Sequence, residues 1–211
     1  MSDPSSRHEK PSDWPAYFDA VAGLPARETL VLALDLFDRE RQPGGTLAVD
    51  LGCGEGRDTA ELLRRGWRVL GIDSSAEGLG RLRERVRRLG AMERLEVLEA
   101  RFEDARWPTC RLVNASFSIP HCAPRDFPGM WGRITESIEP GGRFAGQLFG
   151  VNDSWATRPD GVTRTYHTRD DVERMLESFD IEHLDEVERP GKTALGEPKY
   201  WHVFHVVARK R

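Results

Sequence analysis

The chain has 211 residues, 38% hydrophobic and 31% charged, which is enough apolar material for one buried core and sets one domain as the expectation. A formal net charge of −4 and a pI near 5.9 give no footprint of a nucleic-acid or membrane-surface protein. Three irregularly spaced cysteines, no apolar run of membrane-spanning length and no apolar signal core point to a reducing compartment and a cytoplasmic protein.

Residues 1–12 are polar and contain proline, with too few apolar side chains to order themselves, so they read as a disordered tail before a single domain at 13–211. Trp14, Tyr17 and Phe18 then fall at helical spacing, and Leu30, Ala33, Leu34 and Phe37 mark a longer helix. Pro43-Gly44-Gly45 turns into strand 47–51. Helix 57–65, strand 68–72, helix 76–90, strand 95–100, a turn at Trp107-Pro108, strand 111–116, helix 125–138 and, after Pro140-Gly141-Gly142, a strand from Phe144 to Phe149 follow in order. Such β–α alternation implies a parallel sheet covered by helices on both faces. Residues 150–167 form a long connection that includes Trp155. Thr168 caps a helix with Asp171 in capping-box position, and strands 179–188 and 199–209, joined by a loop with Pro190-Gly191, end the chain as an antiparallel hairpin.

Chemistry concentrates at Asp50-Leu51-Gly52-Cys53-Gly54-Glu55-Gly56-Arg57, which closes an apolar run and opens an amphipathic one. Glycines at a strand–turn–helix junction let backbone approach a ligand beside free helix N–H groups. Asp73 ends the next strand, at the distance where an acid grips ribose hydroxyls. A dinucleotide turn needs G-x-G-x-x-G, and Arg57 holds that last position. The carboxylates of Asp50 and Glu55 would repel a pyrophosphate and suit a cationic ligand, which points to a nucleoside site without a diphosphate.

Val49 to Gly56, followed by Gly71-Ile72-Asp73-Ser74, resembles the first two motifs of the class I S-adenosylmethionine-dependent methyltransferases. The resemblance implies a Rossmann-like α/β fold: a mostly parallel seven-stranded sheet, helices on both faces and a C-terminal antiparallel hairpin. It further implies S-adenosyl-L-methionine as cofactor. Asp50, Gly52, Cys53, Gly54, Gly56, Arg57 and Ser74 would all bind it, the three glycines letting the backbone pass its methionine part; Asp73 would hold its ribose, Phe102 and Glu103 stand at its adenine, and Ser116 face its amino-acid end from the fourth strand. Many members carry Asp where Arg101 stands, which weakens the adenine assignment. The segment Leu51 to Asp58, the helix from Thr168 and the closing Val206-Val207-Ala208-Arg209-Lys210 look more loosely like the tellurite-resistance type of small-molecule methyltransferase.

The acceptor is read mainly from what is missing. Asn114 is followed by Ala115-Ser116-Phe117, without the two prolines of amino-methylating enzymes, and no cysteine follows a proline as in cytosine C5 methylation. The arginines of 81–88 share their helix with Glu84 and read as a solvated surface. His202 and His205 would point to opposite faces of a strand, so no metal is expected. A small-molecule nucleophile, such as a soft anion or oxyanion, is the first reading, with a protein or RNA substrate, or cofactor binding without catalysis, as alternatives. Trp14, Tyr17, Trp155 and Trp201 are the expected pocket aromatics. His121, after Ile119-Pro120 at a strand's carboxyl end, is the candidate base or acceptor-orienting group. The stripe at Trp14, Tyr17 and Phe18 is expected to cover the site.

Overall fold

The computed structural model describes residues 14–41, 45–157 and 162–211. The 1–12 tail and Pro43-Gly44 of the expected turn lie outside the described residues. In chain order the elements are α1 (Trp14–Val21), α2 (Glu28–Arg39), β1 (Leu47–Leu51), α3 (Arg57–Arg64), β2 (Arg68–Asp73), α4 (Ala76–Leu89), β3 (Leu95–Glu99), β4 (Cys110–Ala115) and α5 (Phe127–Ser137). They continue with β5 (Ile138–Gly150), α6 (Ser154–Thr157), β6 (Tyr166–His167), α7 (Arg169–Met175), β7 (Phe179–Lys192) and β8 (Pro198–Lys210).

The helices begin and end where their residues say. Ser75 caps α4 by accepting the Gly78 N–H at 3.0 Å, and Gly90 ends it at φ 70°. Thr168 and Asp171 form the expected capping box of α7. Leu30, Ala33, Leu34 and Phe37 form the buried face of α2.

The strands run in the order β3-β2-β1-β4-β5-β8-β7, with β6 beside β5. Strands β1 to β6 pair in parallel, and β8 is antiparallel to both β5 and β7. The order reverses between β1 and β4, and ligands of open α/β sheets sit at the carboxyl ends of strands around such a point.

Three details depart from the sequence reading. Pro190 and Gly191 stand inside β7, opposite Tyr200 and Lys199, while the reversal occurs between Lys192 and Pro198. An edge strand tolerates proline, and a side chain at Gly191 would meet the Trp201 indole at 2.9 Å. Strand β5 begins at Ile138, so Pro140-Gly141-Gly142 lies within it, at the register shift opposite Cys110 and Leu112. The seven-stranded path gains an eighth member in β6, whose two residues are too few to show a period.

Alternating side chains along the strands supply two cores. Val49, Val113, Phe144 and Val206 face Trp131 and Ile134 of α5 and Val172 of α7. Ala48, Leu112, Ala145 and Val207 face Leu34 and Phe37 of α2, Leu62 of α3 and Leu82 of α4. Arg143 is the exception on β5. It is 1% exposed, lies 4.3 Å from the centre of the Phe37 ring, and pairs with Glu40 and Glu182 at 2.6 Å each. Those two carboxylates hold its guanidinium protonated more firmly than usual.

Candidate cofactor cleft and acceptor wall

The turn from β1 into α3 is fastened to β2. The Gly52 and Cys53 N–H groups both donate to the Ile72 carbonyl, at 2.7 and 3.1 Å. Asp73 completes the attachment, its carboxylate accepting from the Gly54 N–H and the Ser75 N–H at 2.8 Å each. One carboxylate thus joins the glycine turn to the start of α4, with lone pairs left on both oxygens. Burial raises the Asp73 pKa against the pull of these N–H groups.

Gly52 and Gly54 lie at φ 76° and 50°, and a side chain on them would meet Ser118 and Phe18 respectively. A Cβ at Gly54 would sit 3.0 Å from the Phe18 ring, which also closes on Gly78 of α4. Helix α1 therefore lies across the turn. Gly56, expected beside a ligand, faces Leu82 of α4.

Beneath the turn is a buried polar network. Asp50 accepts from Thr59 Oγ1 at 2.5 Å and from Asn114 Nδ2 at 2.9 Å. Asn114 also donates to Asp58 at 3.1 Å, and Asp58 accepts the Arg27 N–H at 2.9 Å. Burial first, then the neighbouring Asp58 and Glu55 charges, push the Asp50 carboxyl up to about 7. Cys53 is buried, and its thiol is pushed well up by that burial, with Asp50 and Asp73 adding to it.

A narrow cleft of about 60 Å³ opens above this network. Tyr17, Phe18 and Arg27 line one side, and Asp50, Gly52, Gly54, Glu55, Arg57 and Ser116 line the rest. Of the remaining expected contacts, Phe102 approaches Gly52, and Ser74 is exposed just past Asp73. Glu103 instead pairs with Arg101 at 2.5 Å, because the two long side chains meet across one turn.

Five expected acceptor residues meet as a chain of rings. Tyr17 lies 5.7 Å from Trp14, Trp14 lies 5.3 Å from His121, His121 lies 6.5 Å from Trp155, and Trp155 lies 6.0 Å from Trp201. Phe149 at the end of β5 packs against His121, Trp155 and Trp201. Only Tyr17 of this set lines the cleft itself.

Two charged groups that the sequence reading did not assign, Lys199 and Asp153, hold this wall in place together with Phe117. The fully buried Lys199 pairs with the fully buried Asp153, and its ammonium sits 3.4 Å from the Trp155 ring centre and 4.4 Å from that of Trp201. Phe117, just past β4, adopts φ 53° and carries the Arg27 guanidinium 4.5 Å from its ring centre. A bulky residue in the left-handed region is strained backbone held by its surroundings, here by Gln147 accepting its N–H at 3.0 Å. Lys199 and Asp153 left no local signal.

Among the described residues, Glu186, Glu188 and His202 form the one carboxylate–imidazole group dense enough for a metal. The Asn152 N–H donates to His202 Nδ1 at 3.1 Å, which leaves the ring proton on Nε2, 3.0 Å from Glu186. A protonated Nε2 cannot ligate, so the group reads as a clasp between the 151–157 segment and the hairpin.

With this geometry in place, residues 48–142 match the family model described as a methyltransferase domain. The carboxy-S-adenosyl-L-methionine synthase of Stutzerimonas stutzeri is 28% identical over 127 residues, covering 56% of this chain and 51% of that protein. The chain thus spans about half the length of that curated relative. Magnesium protoporphyrin IX methyltransferase from Synechocystis, solved with bound SAH, superposes with a TM-score of 0.71 at 13% identity, covering 94% of each chain. The 1,6-didemethyltoxoflavin-N1-methyltransferase of Burkholderia thailandensis gives a TM-score of 0.64 at 20% identity, covering 93% of this chain and 84% of that one. Among the described residues no helix is long and apolar enough to cross a membrane. Over residues 48–142, then, the chain is similar to methyltransferase domains, and its sheet has the fold of these solved methyltransferases.

Proposed function

We propose that this chain binds S-adenosylmethionine at the β1–α3 turn and transfers its methyl group to a small-molecule nucleophile held against the aromatic wall. The observation that carries this reading is the Asp73 carboxylate, which ties the glycine turn to the α4 cap at the carboxyl edge of the sheet. The cleft chemistry fits the cofactor in that Ser116 and the turn backbone supply hydrogen-bonding groups beside Glu55. About 60 Å³ is well below the roughly 300–1,000 Å³ of small-molecule sites, so α1, with Phe18 on Gly54, has to shift to admit the ligand.

The bound sulfonium supplies an activated methyl group, so the protein's tasks are alignment and exclusion of water. Asp73 and Ser74 face the ribose end, Phe102 stands toward the base, and the turn holds the amino-acid end. Helix α1 closes the cleft, and its Trp14 continues into the ring chain through His121 to Trp155 and Trp201. His121 orients the acceptor or takes its proton. The acceptor is small and flat, because aromatic faces surround the place where it would enter. The relatives named for a toxoflavin precursor and a porphyrin support that class.

Calorimetric titration with S-adenosylmethionine, followed by a methyl-release assay over phenols, thiols and heteroaromatic acceptors, tests the reading. Binding with turnover on at least one acceptor is expected. Binding without turnover on any class would favour a cofactor-binding protein, and a folded chain that binds no cofactor would end the proposal.

A further inference from the structure

A second hollow, of about 230 Å³, lies between the segment that leads into β4 and the last turns of α5. Arg106, Trp107 and Thr109 line one side of it, and Arg133, Glu136 and Ser137, spaced to share one face of α5, line the other. It has no lining residue in common with the cleft at the glycine turn. Its two guanidiniums bond to backbone carbonyls. Arg133 Nη2 donates to the Phe102 carbonyl at 2.6 Å and the Glu103 carbonyl at 3.4 Å, and Arg106 Nη1 to the carbonyls of Ala105 and Glu103 at 2.8 and 3.1 Å. Among the described residues neither forms an ion pair within 4.0 Å, and Arg133 Nε is buried without a hydrogen-bond partner. Nearby acids leave them unanswered, since Glu103 pairs with Arg101, and Glu136, one turn from Arg133, pairs with neither guanidinium among the described residues. Burial first, then the Arg106 charge, lower the Arg133 pKa.

We infer that this hollow binds a small oxyanion, a phosphate or a carboxylate, carried on a flat apolar body. The carbonyl bonds occupy one nitrogen of each guanidinium and leave the others for the two-point contact that such anions accept. Two like charges side by side, one with a buried donor unused, are relieved by an anion between them. The flat body has its place on Trp107. That ring is half-buried and fixed, its indole N–H donating to Ser137 Oγ at 2.8 Å while the Ser137 hydroxyl donates to the Ile134 carbonyl at 3.0 Å. The Arg133 guanidinium lies 5.9 Å from the ring centre, so head and body of the ligand would be held next to each other. A volume of about 230 Å³ exceeds that of several waters at roughly 30 Å³ each and falls just short of the roughly 300–1,000 Å³ of drug-sized sites, which suits an anion with one ring. Glu136, exposed at the edge, opposes the anion and gives the site a sign that can be tested. The inference is independent of the cofactor reading, because the two sites share no residue.

Calorimetry at constant ionic strength tests it, with phenyl phosphate, benzoate and phenol as probes on the full chain, on Arg106→Gln and on Glu136→Gln. Phenyl phosphate or benzoate should bind with a Kd below about 1 mM, the tighter of the two naming the head group, and phenol at least about tenfold more weakly. Arg106→Gln should lose about tenfold for that anion, the scale of a lost charge-assisted hydrogen bond. Glu136→Gln should gain about two- to threefold, as expected for removing an exposed like charge. A role of the arginines as clamps on residues 102–105 alone would produce no such gain. Hydrogen exchange should slow at residues 103–109 and 133–137 when the anion binds. Absence of saturable binding of either anion up to about 10 mM overturns the inference. So does phenol binding as tightly as the anions, unchanged affinity in both variants, or protection that falls on residues 50–57 instead.

Discussion

The glycine turn and the aromatic wall are built on opposite principles. In the turn, backbone groups do the holding: Ile72 and Asp73 accept four of the N–H groups that shape it and the α4 start, and side-chain identity matters mainly where a Cβ would intrude. In the wall, side chains from α1, the Ile119–His121 turn, β5, α6 and β8 meet through ring faces and a buried Lys199–Asp153 pair. A backbone-built site keeps its ligand class across many sequences, whereas a wall assembled from distant side chains can be rebuilt for a different acceptor. The two regions should therefore fail separately when perturbed.

The largest effect is expected at Gly54. Its φ of 50° and the Phe18 ring 3.0 Å from the Cβ position leave no room for a branched side chain. Gly54→Val should abolish cofactor binding in calorimetry while the circular dichroism spectrum remains that of an α/β protein. Tight binding by this variant would mean the turn serves only the chain.

On the wall, Lys199→Met leaves the fully buried Asp153 without its cation, a change that costs about 3–5 kcal/mol of stability in comparable buried pairs. Urea unfolding should show that loss, with the wild-type cofactor affinity retained below the transition. A joint loss of affinity and stability would break the separation proposed here.

Asp73→Ala removes an acceptor shared by two backbone N–H groups and the expected ribose contacts. Cofactor affinity should fall by about 2 kcal/mol or more, as for lost hydrogen bonds to a charged group. Unchanged affinity in a folded variant would take Asp73 out of the site.

The smallest effect is a pH slope beneath the turn. Asp50 is held near 7 in the folded chain against an ordinary value of 3.8, so between those values the folded state carries a proton that the unfolded chain has released. Stability should fall as pH rises through that window, by on the order of 1 kcal/mol or more. His167, held down to about 4 by burial, acts with the opposite sign, since stability is lost as pH falls from 6.5 towards 4. Melting curves of wild type and Asp50→Asn at pH 5 to 8 isolate the first contribution as their difference. A pH-independent difference would remove the raised Asp50.

What could be read in the sequence follows the same division. Hydrophobic periods gave the β–α alternation, local polar patterns gave the α7 cap, and the turn with Asp73 was legible because its parts are close in the chain. Pro190-Gly191 misled because turn residues can also occupy an edge strand where a neighbouring Trp201 needs space. Arg27, Asp153 and Lys199 were invisible because their partners lie far along the chain, as with Arg27 on Asp58, 31 residues away. The five wall aromatics were chosen by type and position, and only the fold shows which rings touch.

Hydrogen–deuterium exchange with and without S-adenosylhomocysteine tests the central claim most directly, because it reports where the cofactor acts. Slower exchange is expected across residues 50–57 and 73–78 and along α1, with the β7–β8 hairpin unchanged. Binding that slows exchange only outside these segments, or leaves them as open as in the free chain, would contradict a cofactor site at the β1–α3 turn.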